Sequence, residues 1–389
     1  MKIKTLLALA ALLPVCLTGC SQNGKPASRY AHLTELTRTE ASAYAEELLG
    51  AWKDSVSSAT AAAFSSRELV RGGHTMKLAW KVFGEEPADG RSLYISLHGG
   101  GGTAPEVNDQ QWDNQQKLYQ PAEGVYLCPR AITNTWDLHF RPESDGFYEE
   151  IIRMMVAQMG VNPDKVYVMG YSAGGDGVWR LAPRMADHWA AASMMAGHPG
   201  DVSLLNLRNL PFMIWCGALD AAYDRNLRCT ERIAEMDSLQ KADPAGYVHE
   251  GHIVEGKEHW MDLVDAAAVP WMARYRRNPA PDKIVWRQEE ELKPYFYWIG
   301  APTGERARGK EVRVSRSGNT IAIEKCDYSA LTVYLNDTMA DLDKPVRVTY
   351  GDIVLFEGPV KRTPAVMRQT LRERQDPSFL YPVRIDVKL

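Results

Sequence analysis

Residues 166–182 read VYVMGYSAGGDGVWRLA. The run up to Met169 is almost wholly apolar, the pattern of a strand buried on both faces. Val178, Trp179, Leu181 and Ala182 recur at helical spacing. Between the two patterns sits Ser172, with Gly170 and Gly174 two residues to either side. A strand that becomes a helix at one residue must turn sharply there. Small neighbours are needed, because larger side chains would collide with the strand and the helix. Such a turn lifts the serine hydroxyl above the C-terminal edge of a sheet. The N–H of Ala173 then points at the same spot from a helix N-terminus, where the dipole favours negative charge. Ser172 is therefore the candidate nucleophile, and Ala173 a candidate oxyanion donor.

Working outward, three further stretches fit that chemistry. SLYISLHGGGG, residues 92–102, ends a strand at His98 and continues into four glycines. Acyl transfer needs a second N–H for the oxyanion, and glycine lets the backbone approach it. Gly100 and Gly101 are the candidates. A plain glycine-rich turn is the alternative, whereas a phosphate loop lacks its Gly-Lys-Ser/Thr ending. LPFMIWCGALD (210–220) is an apolar strand ending at Asp220, and HIVEGKEHW (252–260) is a β run whose loop carries His259. Serine is a poor nucleophile until a histidine takes its proton. An acid must hold the imidazole tautomer and stabilise the imidazolium. Asp224 is a rival for the acid. His249 and His252 form an H-x-x-H spacing, but no third ligand stands nearby and H-E-x-x-H is absent, so no metal is expected. No organic cofactor is expected either. His98, Trp136, Asp137, His139, Tyr171 and His198 lie at or just past strand ends and are candidate pocket residues.

The rest of the chain sets the context. It has 389 residues, a formal charge of −4 and no basic run, which argues against nucleic acid as a partner. MKIKTLLALAALLPVCLTGC opens with two lysines, then an apolar run too short for a comfortable membrane span. Leu17-Thr18-Gly19-Cys20 resembles the lipobox of bacterial lipoprotein signal peptides. That resemblance implies removal of residues 1–19, acylation of Cys20 and anchoring to a membrane of the cell envelope. Ser21 points to the outer membrane. An ordinary secretory signal or a buried helix is the alternative. SQNGKPAS then reads as a flexible tether. Cys128, Cys216, Cys229 and Cys326 remain; Cys128 and Cys216 lie in apolar strand-like runs and read as buried thiols, and an exported setting permits a disulfide without choosing its pairing.

Residues 31–64 are alanine- and leucine-rich, predicting one or two helices. From Met76, the runs MKLAWKVF, SLYISLH, GVYLCP, KVYVMG, AAASMMAG, PFMIWCG and YVHEGHIVE read as strands, with helical patterns such as FYEEIIRMMVAQMG between several of them. That alternation predicts a doubly wound, mostly parallel α/β sheet. RYRRNPAPDK (274–283) reads as a linker. Short alternating strands follow it, with one helix near AVMRQTLRERQ, which predicts a small β-sandwich. The expected divisions are residues 1–19 for the leader, 20–66 for tether and helices, 67–279 for the α/β unit and 280–389 for the β-rich unit.

Taken together, His98-Gly-Gly-Gly, Gly170-Tyr-Ser-Ala-Gly, Asp220 and His259 resemble the α/β-hydrolase superfamily over residues 76–279. The nearest flavour is the esterase and poly(3-hydroxybutyrate) depolymerase-like group, which includes feruloyl and acetylxylan esterases. The resemblance implies an acyl-Ser172 intermediate and a small-molecule or polysaccharide ester as substrate. The C-terminal β unit departs from the minimal esterase plan. Two other readings stand beside it. One is a peptidase on the same scaffold, which the short connections between strands and the position of the extra unit after the triad disfavour. The other is a glycan-binding surface module using Trp136, Tyr295, Phe296, Tyr297 and Trp298, although packed strands also explain the last four.

Overall fold

A computed structural model describes residues 28–389. The leader and Cys20 lie outside the described residues. One long helix, α1 (Arg38–Ser66), covers the alanine-rich region where one or two were expected. It begins at a capping box in which the Thr37 hydroxyl and Glu40 carboxylate each bond the other's backbone N–H. Ala41, Tyr44, Leu48, Trp52 and Val56 form its buried stripe.

The large sheet is built from β1 (Glu68–Arg71), β2 (His74–Phe83), β3 (Arg91–Leu97), β4 (Gly124–Pro129), β5 (Val161–Tyr171), β6 (Ala191–Met195), β7 (Phe212–Gly217) and β8 (His249–Val254). Between them run α2 (Pro105–Leu118), α3 (Ser144–Met159), α4 (Ala173–Arg184) and α5 (Arg225–Ala242), and α6 (Ala268–Met272) follows. The order is β1-β2-β4-β3-β5-β6-β7-β8. Pairing is antiparallel only for β1 with β2 and β2 with β4; the other neighbours are parallel. This is the expected doubly wound, mostly parallel α/β class. Alternation along the central strands feeds two cores. Leu93, Ile95, Leu97, Val166 and Val168 enter one, while Tyr94, Tyr167, Met169 and Tyr171 enter the other. The sequence reading began the sheet at Met76 and missed β1. That strand is four residues long with one buried side chain, so it carries no apolar run.

Beyond the α/β sheet lie β9 (Lys283–Arg287), β10 (Tyr295–Phe296), β11 (Ile299–Gly300), β12 (Glu311–Ser317), β13 (Thr320–Cys326), β14 (Ala330–Leu335), β15 (Val346–Tyr350), β16 (Ile353–Gly358), α7 (Pro364–Arg374) and β17 (Val383–Lys388). They make a five-stranded sheet, β16-β15-β13-β12-β9, and a four-stranded one, β10-β11-β14-β17. Phe296, Tyr297 and Trp298 are buried, with the Tyr297 hydroxyl donating to Ala186 O at 3.1 Å and Trp298 Nε1 to Pro281 O at 2.8 Å. Their burial takes these three rings out of the aromatic set read as a glycan platform, leaving Trp136 and Tyr295.

The segment read as a linker is also pinned. Arg277 is buried and holds Asp164, in β5, at 2.7 Å and Asp376, after α7, at 2.6 Å. It also donates to Asp187 O at 2.8 Å. One hydrophobic cluster runs without a break from β3 and β5 into β12–β15. Removing one member of a buried ion network leaves uncompensated charge, at a cost of about 3–5 kcal/mol. Arg277→Met should lower the unfolding free energy by about that much in urea titration. A change under about 1 kcal/mol would show that Arg277 does not tie the two parts together.

Candidate active site

The site starts from the corner between β5 and α4. Ser172 has φ 57° and ψ −122°, a left-handed conformation for a residue with a side chain. Such strain costs roughly 1–3 kcal/mol and persists only where the surroundings enforce it. Here they do. A Cβ at Gly174 would overlap the Leu97 carbonyl, and one at Gly170 would overlap the Gly174 backbone. The Ser172 N–H is fixed to Met195 O at 2.9 Å. Ala173 opens α4, so its N–H has no partner inside the helix.

Two loops meet Ser172. Its Oγ lies 2.9 Å from His259 Nε2, and His259 Nδ1 lies 2.8 Å from Asp220 Oδ2. A carboxylate can only accept, so Nδ1–H donates to Asp220 and Nε2 is left to accept from the serine hydroxyl. The Asp220 carboxylate is 1% exposed. The loop after β8 lies against the end of β7, where a Cβ at Gly217 would overlap the Glu258 carbonyl. Leu219 N–H bonds Lys257 O at 2.8 Å. Tyr171, expected in the pocket, instead holds the histidine loop. Its hydroxyl donates to His259 O at 2.6 Å and accepts from Met261 N–H at 3.0 Å. Asp224 is exposed, and its hydrogen bonds do not reach His259.

The glycine loop lies against the serine, since a Cβ at Gly99 would sit 3.4 Å from Ser172 Cβ. Gly100 and Gly101 have φ of 102° and 81°. The Gly101 N–H donates to Asn108 Oδ1 at 2.8 Å, which corrects its expected place as a free oxyanion donor. Asn108 is wholly buried on α2 and also donates to Thr103 O and Ala104 O. Nothing in its sequence surroundings singled it out.

Of the pocket candidates, His98 and His139 are buried braces and not pocket walls. His98 Nε2 accepts from Ala131 N–H at 3.1 Å, which leaves Nδ1–H to donate to Gly99 O at 2.6 Å. His139 Nε2–H donates to His98 O at 2.8 Å, and its Nδ1 faces the Tyr148 hydroxyl at 3.2 Å. Burial pushes the His98 imidazole down to about 4. Burial, reinforced by the nearby His98, pushes His139 well below the usual histidine range. Asp137 is turned onto its own loop, accepting from Thr135 Oγ1 at 2.5 Å and pairing with Arg141 at 3.4 Å. Trp136 is 64% exposed, with its backbone carbonyl against Gly101 and its ring edge-on to Phe140. His198 lines a cavity of about 300 Å³ with Gly200, Arg228, Glu231, Arg232 and Glu235, and none of Ser172, Asp220 or His259 borders it. His249 and His252 diverge, as residues three apart on a strand must. His249 bonds Tyr247 O and Asp237, while His252 stacks on Trp215. Among the described residues no group of three His, Cys, Asp or Glu is placed to hold a metal.

No family model matches the chain. It is 31% identical over 144 residues to "Putative esterase NocK" of Nocardia uniformis subsp. tsuyamanensis. The match takes in 34% of this chain and 41% of NocK, so the chain spans less than half the length of that relative. Among solved structures, a thermostable esterase has a TM-score of 0.42 at 18% identity, covering 54% of this chain and 62% of that one. FphF, a fluorophosphonate-binding serine hydrolase of Staphylococcus aureus, has a TM-score of 0.38 at 13% identity, covering 53% and 96%.

His98 and His139 give the fold a pH signature. Both are neutral when folded and free to take a proton when unfolded, so their contribution is complete above the ordinary histidine pKa of 6.5. It is lost as the pH falls from 6.5 towards about 4. Melting temperature should be level above about pH 7 and should fall through the pH 6.5–5 window, before most carboxylates titrate. A melting temperature level down to pH 5 would contradict the buried, neutral assignment.

Proposed function

We propose that the protein is a serine hydrolase of carboxylic esters. The observation that carries this reading is the continuous chain Ser172 Oγ–His259 Nε2 and His259 Nδ1–Asp220 Oδ2, at 2.9 and 2.8 Å, on a strained strand-to-helix corner. His259 takes the Ser172 proton as the hydroxyl adds to the ester carbonyl. The oxyanion collects at Ala173 N–H and the glycine loop. His259 then returns the proton to the departing alcohol, leaving acyl-Ser172, and activates water for the second half. Asp220 keeps Nδ1 protonated throughout. The NocK likeness supports an ester over a peptide substrate. For the alcohol portion we favour an esterified saccharide. Trp136 and Trp260 are exposed, Trp136 against the glycine loop and Trp260 against Tyr171 at 5.5 Å, so each could stack on a sugar face.

A fluorophosphonate probe should label wild-type protein at Ser172 and leave Ser172→Ala unlabelled. Ester turnover should drop by several orders of magnitude in that variant, and labelling that persists unchanged would remove Ser172 from its role. Asp220→Asn should cost roughly 10⁴ in turnover through the wrong imidazole tautomer. Asp224→Asn should cost little. The reverse order would transfer the acid role.

For location, we propose attachment to the cell envelope through acylated Cys20, with the catalytic part outside the bilayer. The support is the leader sequence. Among the described residues no helix is long and apolar enough to cross a membrane. Cys20→Ser should abolish lipid labelling and move the protein out of the membrane fraction. A wild-type chain whose mature N-terminus is unmodified would exclude the anchor.

A further inference from the structure

Asp220 has a second partner. One carboxylate oxygen, Oδ2, faces His259, and the other, Oδ1, lies 3.3 Å from Arg225 Nη1. The contact is dry: the Asp220 side chain is 1% exposed and that of Arg225 12%. The chain goes to some trouble to place this arginine. Tyr223 and Asp224 both take positive φ, 57° and 58°, immediately before it. Two consecutive residues with side chains rarely adopt that conformation, and strain of this kind persists where the surroundings over-determine it. The double turn puts Arg225 at the first position of α5, facing back towards the end of β7. Its guanidinium lies over the Tyr223 ring at 5.0 Å, so one face is covered by the aromatic and one edge by Asp220. Asn226 N–H bonds Asp220 O at 3.1 Å and Asn226 Nδ2 bonds Ala218 O at 2.8 Å, closing the loop around the pair.

We propose that Arg225 is a positioning residue of the reaction, holding the Asp220 carboxylate in line with His259 and balancing its charge from the side away from the imidazole. This rests on the Ser172–His259–Asp220 reading above. A fixed cation behind the acid withdraws part of the negative charge that would otherwise favour imidazolium. Other groups face this unit and set the background. Asp176 on α4 is half-buried and interacts with Arg225, Arg180 and His259. His198 beyond β6 has Arg225, Arg228, Arg180 and Arg232 around it. Tyr171 on β5 contacts His259 through the backbone, and Lys257 pairs with Asp262 on the histidine's own loop. None of the carboxylates or cations among these bonds Asp220; Arg225 does.

The test reads the ionisation of His259 and not merely the level of activity. The rate at which a fluorophosphonate inactivates the enzyme is measured from pH 5 to 9, together with kcat/KM on a p-nitrophenyl ester. In Arg225→Met the acidic limb of both profiles should move up by about one pH unit, the size expected of a lost charge in a partly dry site. Arg225→Lys should keep the limb near its wild-type position with a lower plateau, because the charge remains and the planar fork is lost. Arg225→Gln, close in length and able to donate to Asp220, removes the charge alone and serves if the methionine variant does not fold. A limb that stays in place in the neutral variants overturns the proposal, even if the plateau falls, since a purely structural role would do that. Wild-type enzyme that neither labels at Ser172 nor hydrolyses the ester overturns the triad reading and this one with it.

Discussion

The β5–α4 corner packs backbone against backbone on the end of β3. The backbones of Gly170 and Gly174 meet there, with Leu97 against both, at a separation that admits no Cβ. Everything at the site follows from this packing. It forces Ser172 into a left-handed conformation, brings the start of α4 under the glycine loop, and leaves the serine hydroxyl at the edge where β7 and β8 deliver Asp220 and His259. A parallel sheet fixes where each following loop begins, so residues just past strand ends converge without any contact between them in sequence.

Convergence alone would leave the loops free to drift. Buried polar side chains take up that role, each with its partners supplied. His98 and His139 carry the glycine loop on hydrogen bonds to Gly99 O and His98 O, Asn108 holds Gly101, and Tyr171 holds both His259 and Met261. The imidazoles used as braces are kept neutral by burial. His259, which is partly exposed, is the one placed against the serine. The same residue type therefore does two jobs, set by environment.

The C-terminal sheets belong to this stabilising framework. Their apolar side chains continue the core of the large sheet, and Arg277 and Arg374 converge on Asp187 and Asp376 between the two parts. The aromatic run at 295–298 looked available for a ligand in sequence. Phe296, Tyr297 and Trp298 face inward, with the Tyr297 hydroxyl held by Ala186 O in the turn after α4, while Tyr295 stays partly exposed.

The sequence by itself determined the fold class, the corner at Ser172 and the order Ser172, Asp220, His259. These are encoded locally: apolar periodicity separates strand from helix, glycine marks a forced turn, and a polar residue just past an apolar run sits at a sheet edge. The tertiary structure alone decided which polar groups meet. Asn108 and Gly101, Tyr171 and the His259 carbonyl, His139 and the His98 carbonyl, Arg277 and Asp376 are partners with no signal in their own neighbourhoods. Even Arg225 and Asp220, five residues apart, meet only because two left-handed residues turn the chain back between them. The edge strand β1 was invisible because one buried side chain makes no periodicity. Pairing of distant groups depends on how whole elements pack. Burial then decides whether a histidine is sealed in as a brace or left partly exposed beside the serine, and a sequence window contains neither distance nor dielectric.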